Sequence, residues 1–137
     1  MISLLYRAAD LIRRQRYLDN HGRIGEDLAH RYLQKHGCTV VARNYRPPAG
    51  AGEIDLVAWD GDQLVFVEVK TRATGEFGTP ESAVDAEKRL RLLWAAMEYA
   101  RRAGVPWEKT RFDIVSVLLE SHKKIEWQRD AFRVQAG

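Results

Sequence analysis

Apolar positions along this chain change period repeatedly, and each change marks an element. From Gly22 to His36, Ile24, Leu28, Ala29, Tyr32 and Leu33 recur at helical spacing on one broad face, with Gly37 as the stop. Glu26 falls at the edge of that face, beside Leu33, where a side chain can reach a boundary between core and solvent. "CTVVARNY" reads as a strand rich in β-branched residues. The loop "RPPAGAG", residues 46–52, ends it. Residues 53–59 and 64–70 are two further strands, joined by the turn-forming "DGDQ". After the polar "TRATGEFGTP", a long helix starts near Pro80 or Asp85 and ends at Gly104, with Leu90, Leu93, Trp94, Met97 and Ala100 along one side. "RFDIVSVLLE" predicts another strand and "KKIEWQ" a short one.

The order is helix, three strands, helix, one or two strands. The third strand, long helix and following strand have the length of a right-handed parallel crossover. The runs "LVFVEV" and "DIVSVLL" suit central strands covered on both faces. An α/β protein with a mixed sheet flanked by helices follows. Residues 1–20 are expected to form an N-terminal helical extension, amphipathic and ending in Arg13, Arg14 and Arg16, and residues 21–137 a single domain.

The strands "GEIDLVAWDGDQLVFVEVKTR" carry Glu53, Asp55, Glu68 and Lys70 inside apolar runs, where a charge is costly unless paired or bound to a metal. Residues two apart in a strand share a face, so Glu53 goes with Asp55 and Glu68 with Lys70. A two-residue turn at Gly61-Asp62 sets Asp55 opposite Glu68. A turn at Asp60-Gly61 sets Glu53 there instead, and a three-residue loop separates the acids. In either two-residue register a carboxylate faces Glu68 with Cβ atoms roughly 4.5–5.5 Å apart, which is unfavourable for like charges. A shared proton or a cation relieves the repulsion. Lys70 supplies one positive charge. Mg²⁺ would supply more, taking one or two carboxylates and completing its shell with phosphate and water.

Composition narrows the setting. A net charge of +3 and a pI of about 9.2 suit a polyanionic partner without requiring one. The one cysteine, Cys38, permits no internal disulfide, and no zinc-ligand spacing exists. No signal peptide and no run of ~18 apolar residues is present, so a cytoplasmic protein without a membrane span is expected.

Asp55, followed thirteen residues later by Glu68-Val69-Lys70, resembles the motif of the PD-(D/E)XK nuclease superfamily, which has the restriction-endonuclease-like fold. The strings "GRIGEDLAHRYLQKHG", "VARNYR", "GEIDLV", "LVFVEVKTR", "FGTPESAVDAEK" and "RFDIVSV" are similar, in this order, to the YraN-like family of small bacterial proteins. That family is in turn similar to Holliday-junction resolvases. The resemblance implies an α-β-β-β-α-β core and a metal-dependent endonuclease acting on DNA, branched or single-stranded DNA included. It implies Asp55 and Glu68 as ligands of Mg²⁺ (or Mn²⁺ as substitute), Lys70 as catalytic lysine and Glu26 as an acid near the metal. Glu53 belongs to the same string in an accessory position. Ile54 stands where the superfamily motif has proline. Resolvases act as dimers, which makes a homodimer a candidate assembly.

Arg43, Asn44, Arg72 and Lys88 are candidate contacts to nucleic acid, since affinity for it comes largely from cations at phosphates. The four tryptophans, Trp59, Trp94, Trp107 and Trp127, are expected to pack in or around the core rather than stack on bases. Gly75 and Gly78 are expected loop hinges, and Asp113 a structural acid. The histidines show no ligand spacing. The alternative class is a non-catalytic module that binds nucleic acid or a partner protein on a nuclease-like fold.

Overall fold

A computed structural model describes residues 2–48, 50, 52–73 and 86–133, with the side chains of 2–6, 10 and 14–19 outside that description. Pro80, Asp85, Gly75 and Gly78, named above as helix start or hinges, lie outside the described residues. The elements are α1 (Ile2–Lys35), β1 (Thr39–Tyr45), β2 (Ile54–Asp60), β3 (Gln63–Arg72), α2 (Ala86–Ala103), β4 (Thr110–Leu118) and β5 (Lys124–Gln128). They form a mixed α/β fold around one five-stranded sheet in the order β1-β2-β3-β4-β5. Only the β3–β4 pair is parallel, as the crossover through α2 predicts; the other three pairs are antiparallel. Among the described residues no helix is long and apolar enough to cross a membrane.

The first helix departs from expectation. The helix expected to begin at Gly22 is joined without a break to the N-terminal helical stretch, and α1 is continuous for 34 residues. Asn20, His21 and Gly22 contain no proline. A glycine inside a helix costs about 1 kcal/mol, too little to end one that is packed further along. Leu11 and Ile12, in the N-terminal half of α1, are exposed. The C-terminal end behaves as read: Gly37 has φ +93°, and the Cys38 and Gly37 N–H groups close back on the Leu33 and Gln34 carbonyls at 2.9 and 3.2 Å.

Two apolar clusters cover the sheet. On one face α1 contributes Ala29 and Leu33 against Leu56, Ala58, Val65, Val67, Val115 and Val117. On the other, α2 contributes Leu92, Ala95, Ala96 and Ala100 against Ile54, Val57, Leu64, Phe66, Phe112 and Ile114. Each large side chain fully buried this way contributes roughly 1.5–3 kcal/mol. The inner side of α2 is thus mostly alanine, which lets the helix lie close on the sheet. Leu90, Trp94 and Met97 point outward and are exposed, as is Ile24 on α1. Trp94 is therefore the one tryptophan of the four that does not pack at the core or its rim; Trp59 and Trp107 pack against the α2-side cluster and Trp127 against the α1-side cluster.

Candidate active site at a strand fork

The hairpin between β2 and β3 fixes the site. Gly61 takes φ +61° as the first central residue of a two-residue turn, the sign and position a type II′ turn demands. Asp60 pairs with Gln63, and the ladder runs without slip to Leu56 opposite Val67. One step further the same register sets Asp55 across from Glu68. Of the open alternatives, the turn at Gly61-Asp62 is the one formed, and Asp55 is the facing acid.

At that step the strand loses its simple alternation. Ile54 and Val57 pack in one cluster although they are three apart, while Leu56 and Ala58 pack in the other. The paired positions on β1 do the same: Ala42 and Tyr45 share a cluster across Asn44, which has φ +50°. Both strands are therefore kinked at one level, and β2 and β3 part there. The Asp55 carboxylate fills the fork, its Oδ2 accepting the Val69 backbone N–H at 2.8 Å in place of a ladder bond. The kink also separates the acids expected on a common face. Glu53 turns away to Arg46, 3.2 Å distant, outside the Asp55 cluster.

Glu68 is a buried charge. Its Oε1 meets Lys70 Nζ at 3.4 Å and Lys88 Nζ at 2.5 Å. Lys88, expected as a phosphate contact, reaches in from the first turn of α2 to join the acids. From α1, Glu26 accepts a hydrogen bond from Asn44 Nδ2 at 3.2 Å and lies 3.6 Å from the Arg43 guanidinium. Arg43 also pairs with Asp27 at 2.8 Å. Arg43 and Asn44 thus form the wall that holds Glu26. Arg72 closes β3, donating to the Thr71 carbonyl at 3.3 Å.

Close packing brings Glu26 to this wall. A Cβ placed on Gly25 would come within 1.8 Å of Thr71 Oγ1, so only glycine lets α1 seat against β3 here. Asp27 and the Val69 N–H escaped sequence reading. A neutralising acid next to Glu26 has no pattern, and a backbone group has no sequence signature.

The electrostatics follow from this crowding. Burial, then the Glu68 charge, pushes the Asp55 carboxyl up to about 8, against the opposing Val69 hydrogen bond. A hydrogen bond to Glu68 acts in the same direction, favouring the protonated Asp55 carboxyl over the charged one. Burial and the adjacent Lys88 ammonium lower the Lys70 pKa, and the Glu68 charge does not compensate. For Lys88 burial pulls downward too, but its bonds to Glu68 and Lys70 and the acidic field outweigh it, and its pKa is raised.

Two carboxylates held against each other fit a divalent cation, which removes the same repulsion that the proton now relieves. Asp55 and Glu68 would hold it. Among the described residues no set of three or more His, Cys, Asp or Glu side chains is gathered to cage a metal. A two-carboxylate site of this kind suits an ion that keeps water and phosphate in its shell.

The fold and site define a mixed α/β protein with two carboxylates and two lysines gathered where central strands part. Comparison with known sequences then places it: residues 25–117 match the family described as "Uncharacterised protein family UPF0102", and the chain belongs to it. A UPF0102 protein of Solibacter usitatus is 70% identical over 132 residues, covering 96% of this chain and 100% of the relative. Relatives with the same family name occur in Koribacter versatilis, 48% identical over 74% of this chain and 71% of the relative, and in Rhodococcus jostii, 45% identical over 81% and 94%.

Proposed function

We propose that this protein is a metal-dependent endonuclease of the PD-(D/E)XK superfamily, with a restriction-endonuclease-like core, hydrolysing phosphodiester bonds of DNA. The observation that carries the proposal is the contact of the Asp55 and Glu68 carboxyl groups where the strands part, with Lys70 3.4 Å from Glu68 Oε1. A structural ion cluster has no reason to set two acids face to face in a buried place. A site that binds a divalent cation and a phosphate does.

In this reading Asp55 and Glu68 hold Mg²⁺ or Mn²⁺. When bound, the metal lowers the pKa of a water and neutralises charge on the phosphate in the transition state. Lys70, fixed on β3 and depressed in pKa by burial, holds the attacking water and a non-bridging phosphate oxygen. Glu26 orients water from the α1 side and is itself held by Asn44 and Arg43. Hydrolysis forms one bond from the water oxygen to phosphorus and breaks one from phosphorus to a sugar oxygen. The water's proton passes to solvent, and the leaving oxygen takes one from solvent. Arg72 and Lys88 supply cations for the flanking backbone.

The test is incubation of the purified protein with branched, single-stranded and linear duplex DNA and Mg²⁺ or Mn²⁺. Cleavage that disappears with chelator and in Glu68→Gln is the expected result. DNA binding without cleavage in any metal would favour a non-catalytic nucleic-acid-binding module instead.

A further inference from the structure

Lys88 has no place in a simple acid-and-lysine site, because Glu68 already has Lys70 beside it. Yet the two ammonium groups converge on a single oxygen, Glu68 Oε1, and Lys88 is the nearer. The two are held differently. Lys70 belongs to a central strand and its side chain is 11% exposed, so it has little room to swing away from Glu68. Lys88 projects from the first turn of α2 and is 40% exposed, so rotation about its own side chain can withdraw it. A cavity of about 270 Å³ lined by Glu53, Glu87, Lys88, Arg91 and Leu92 lies beside it. The cavity offers room for a retracted lysine beside the Glu53–Arg46 and Glu87–Arg91 ion pairs.

We infer that Lys88 is a built-in counter-ion that occupies the cation position at Glu68 in the metal-free protein and is released toward phosphate when a metal binds. This rests on the nuclease reading of the site. A cation on Glu68 Oε1 competes directly with any ion seeking that oxygen, since two positive charges cannot share it at little cost. Displacement of Lys88 then frees an ammonium at the mouth of the site, where a phosphodiester approaches. Metal and nucleic acid would bind with positive coupling, and by linkage each would tighten the other by the same factor.

The experiment is calorimetric titration with Mn²⁺ alone, without nucleic acid, of the parent chain, Lys88→Met, Lys88→Arg, Arg91→Met and Glu68→Gln. Lys88→Met is expected to bind Mn²⁺ roughly tenfold more tightly than the parent, a change of about 1.4 kcal/mol. Lys88→Arg keeps the parent affinity, because it restores a competing cation. Arg91→Met, which removes a positive charge one turn along the same helix, changes affinity by less than about twofold if the effect is contact rather than general field. In the second readout, a single-stranded oligonucleotide tightens Mn²⁺ binding to the parent but much less to Lys88→Met. Equal affinities in parent and Lys88→Met, weaker binding in Lys88→Met, or equal gains in Lys88→Met and Arg91→Met overturn the inference. If parent binding is abolished by Glu68→Gln while Lys88→Met is unchanged, the metal site stands and the gate falls. If neither parent nor Lys88→Met binds Mn²⁺, both fall together.

Discussion

Two charged clusters sit at opposite ends of the central strands, and they are built on opposite principles. At the hairpin end, the buried Asp113 carboxylate accepts from Arg111 Nε and Nη2 and from Trp127 Nε1 at 2.8 Å each, and from the Asp130 backbone N–H at 2.9 Å. Arg111 spends its remaining donors on Gln63 at 2.7 Å and Asp60 at 2.8 Å. Both oxygens of the Asp113 carboxylate have hydrogen-bond partners, which fits the structural acid read from the sequence. At the fork end, carboxylate faces carboxylate and two lysines crowd one oxygen. A satisfied network stabilises a fold; a crowded one with perturbed pKa values marks a candidate functional site.

The contrast is tested most severely at Asp113. Asp113→Ala leaves the half-buried Arg111 with Asp60 as its remaining carboxylate and takes the acceptor from the Trp127 and Asp130 N–H groups, and is expected to cost about 3 kcal/mol in denaturant unfolding. Asp55→Asn should do the reverse. It removes the repulsion while keeping the shape, so metal-free stability holds or rises, whereas the proposed metal-dependent cleavage falls by about 10²-fold or more, on the scale of losing an essential electrostatic group. A large loss of stability in Asp55→Asn would make the fork a second structural network and end the distinction.

Gly25→Ala is expected to cost about 1–3 kcal/mol through overpacking against Thr71. It also displaces Glu26, so activity in metal falls even at temperatures where the variant is folded. Normal activity in the folded variant would remove Glu26 from the site.

A pH series separates the clusters without changing their shape. Asp55 binds its proton more tightly folded than unfolded, with a carboxyl raised from 3.8 to about 8. The unfolded chain therefore carries fewer protons than the folded one between those values, and stability declines as pH rises through that window. The metal-free parent should lose stability from about pH 4 to pH 8 relative to Asp55→Asn, and a flat difference would contradict the raised Asp55 carboxyl. The smallest effect is expected far from both clusters. Arg101→Ala breaks an exposed pair with Glu98 at 2.8 Å and should change stability by about 0.5 kcal/mol or less.

The contrast also shows what could be read in advance. Strand and helix order, the parallel crossover and the acids of the hairpin were legible because hydrophobic period and turn residues are local properties. Of the residues read along one side of α2, Ala100 is buried and Leu93 half-buried while Leu90, Trp94 and Met97 are exposed, because Leu92, Ala95 and Ala96 offer a second stripe and periodicity does not say which stripe meets a sheet. The continuity of α1 past Gly22 was missed because a lone glycine is a weak stop.

By itself, then, the sequence determined that acids and a lysine would stand in otherwise apolar strands, and that a DG turn could bring Asp55 or Glu53 opposite Glu68. Tertiary structure decided the rest. It chose the register through the Gly61 turn, since one residue of slip exchanges the faces of a strand. It kinked β1 and β2 at Asn44 and Asp55, sending Glu53 to Arg46 and Asp55 into the fork. It brought Glu26 in through the close approach at Gly25, and it set Lys88 of α2 on Glu68. These last contacts join residues far apart in the chain, and only the packing of both helices on one sheet makes them neighbours.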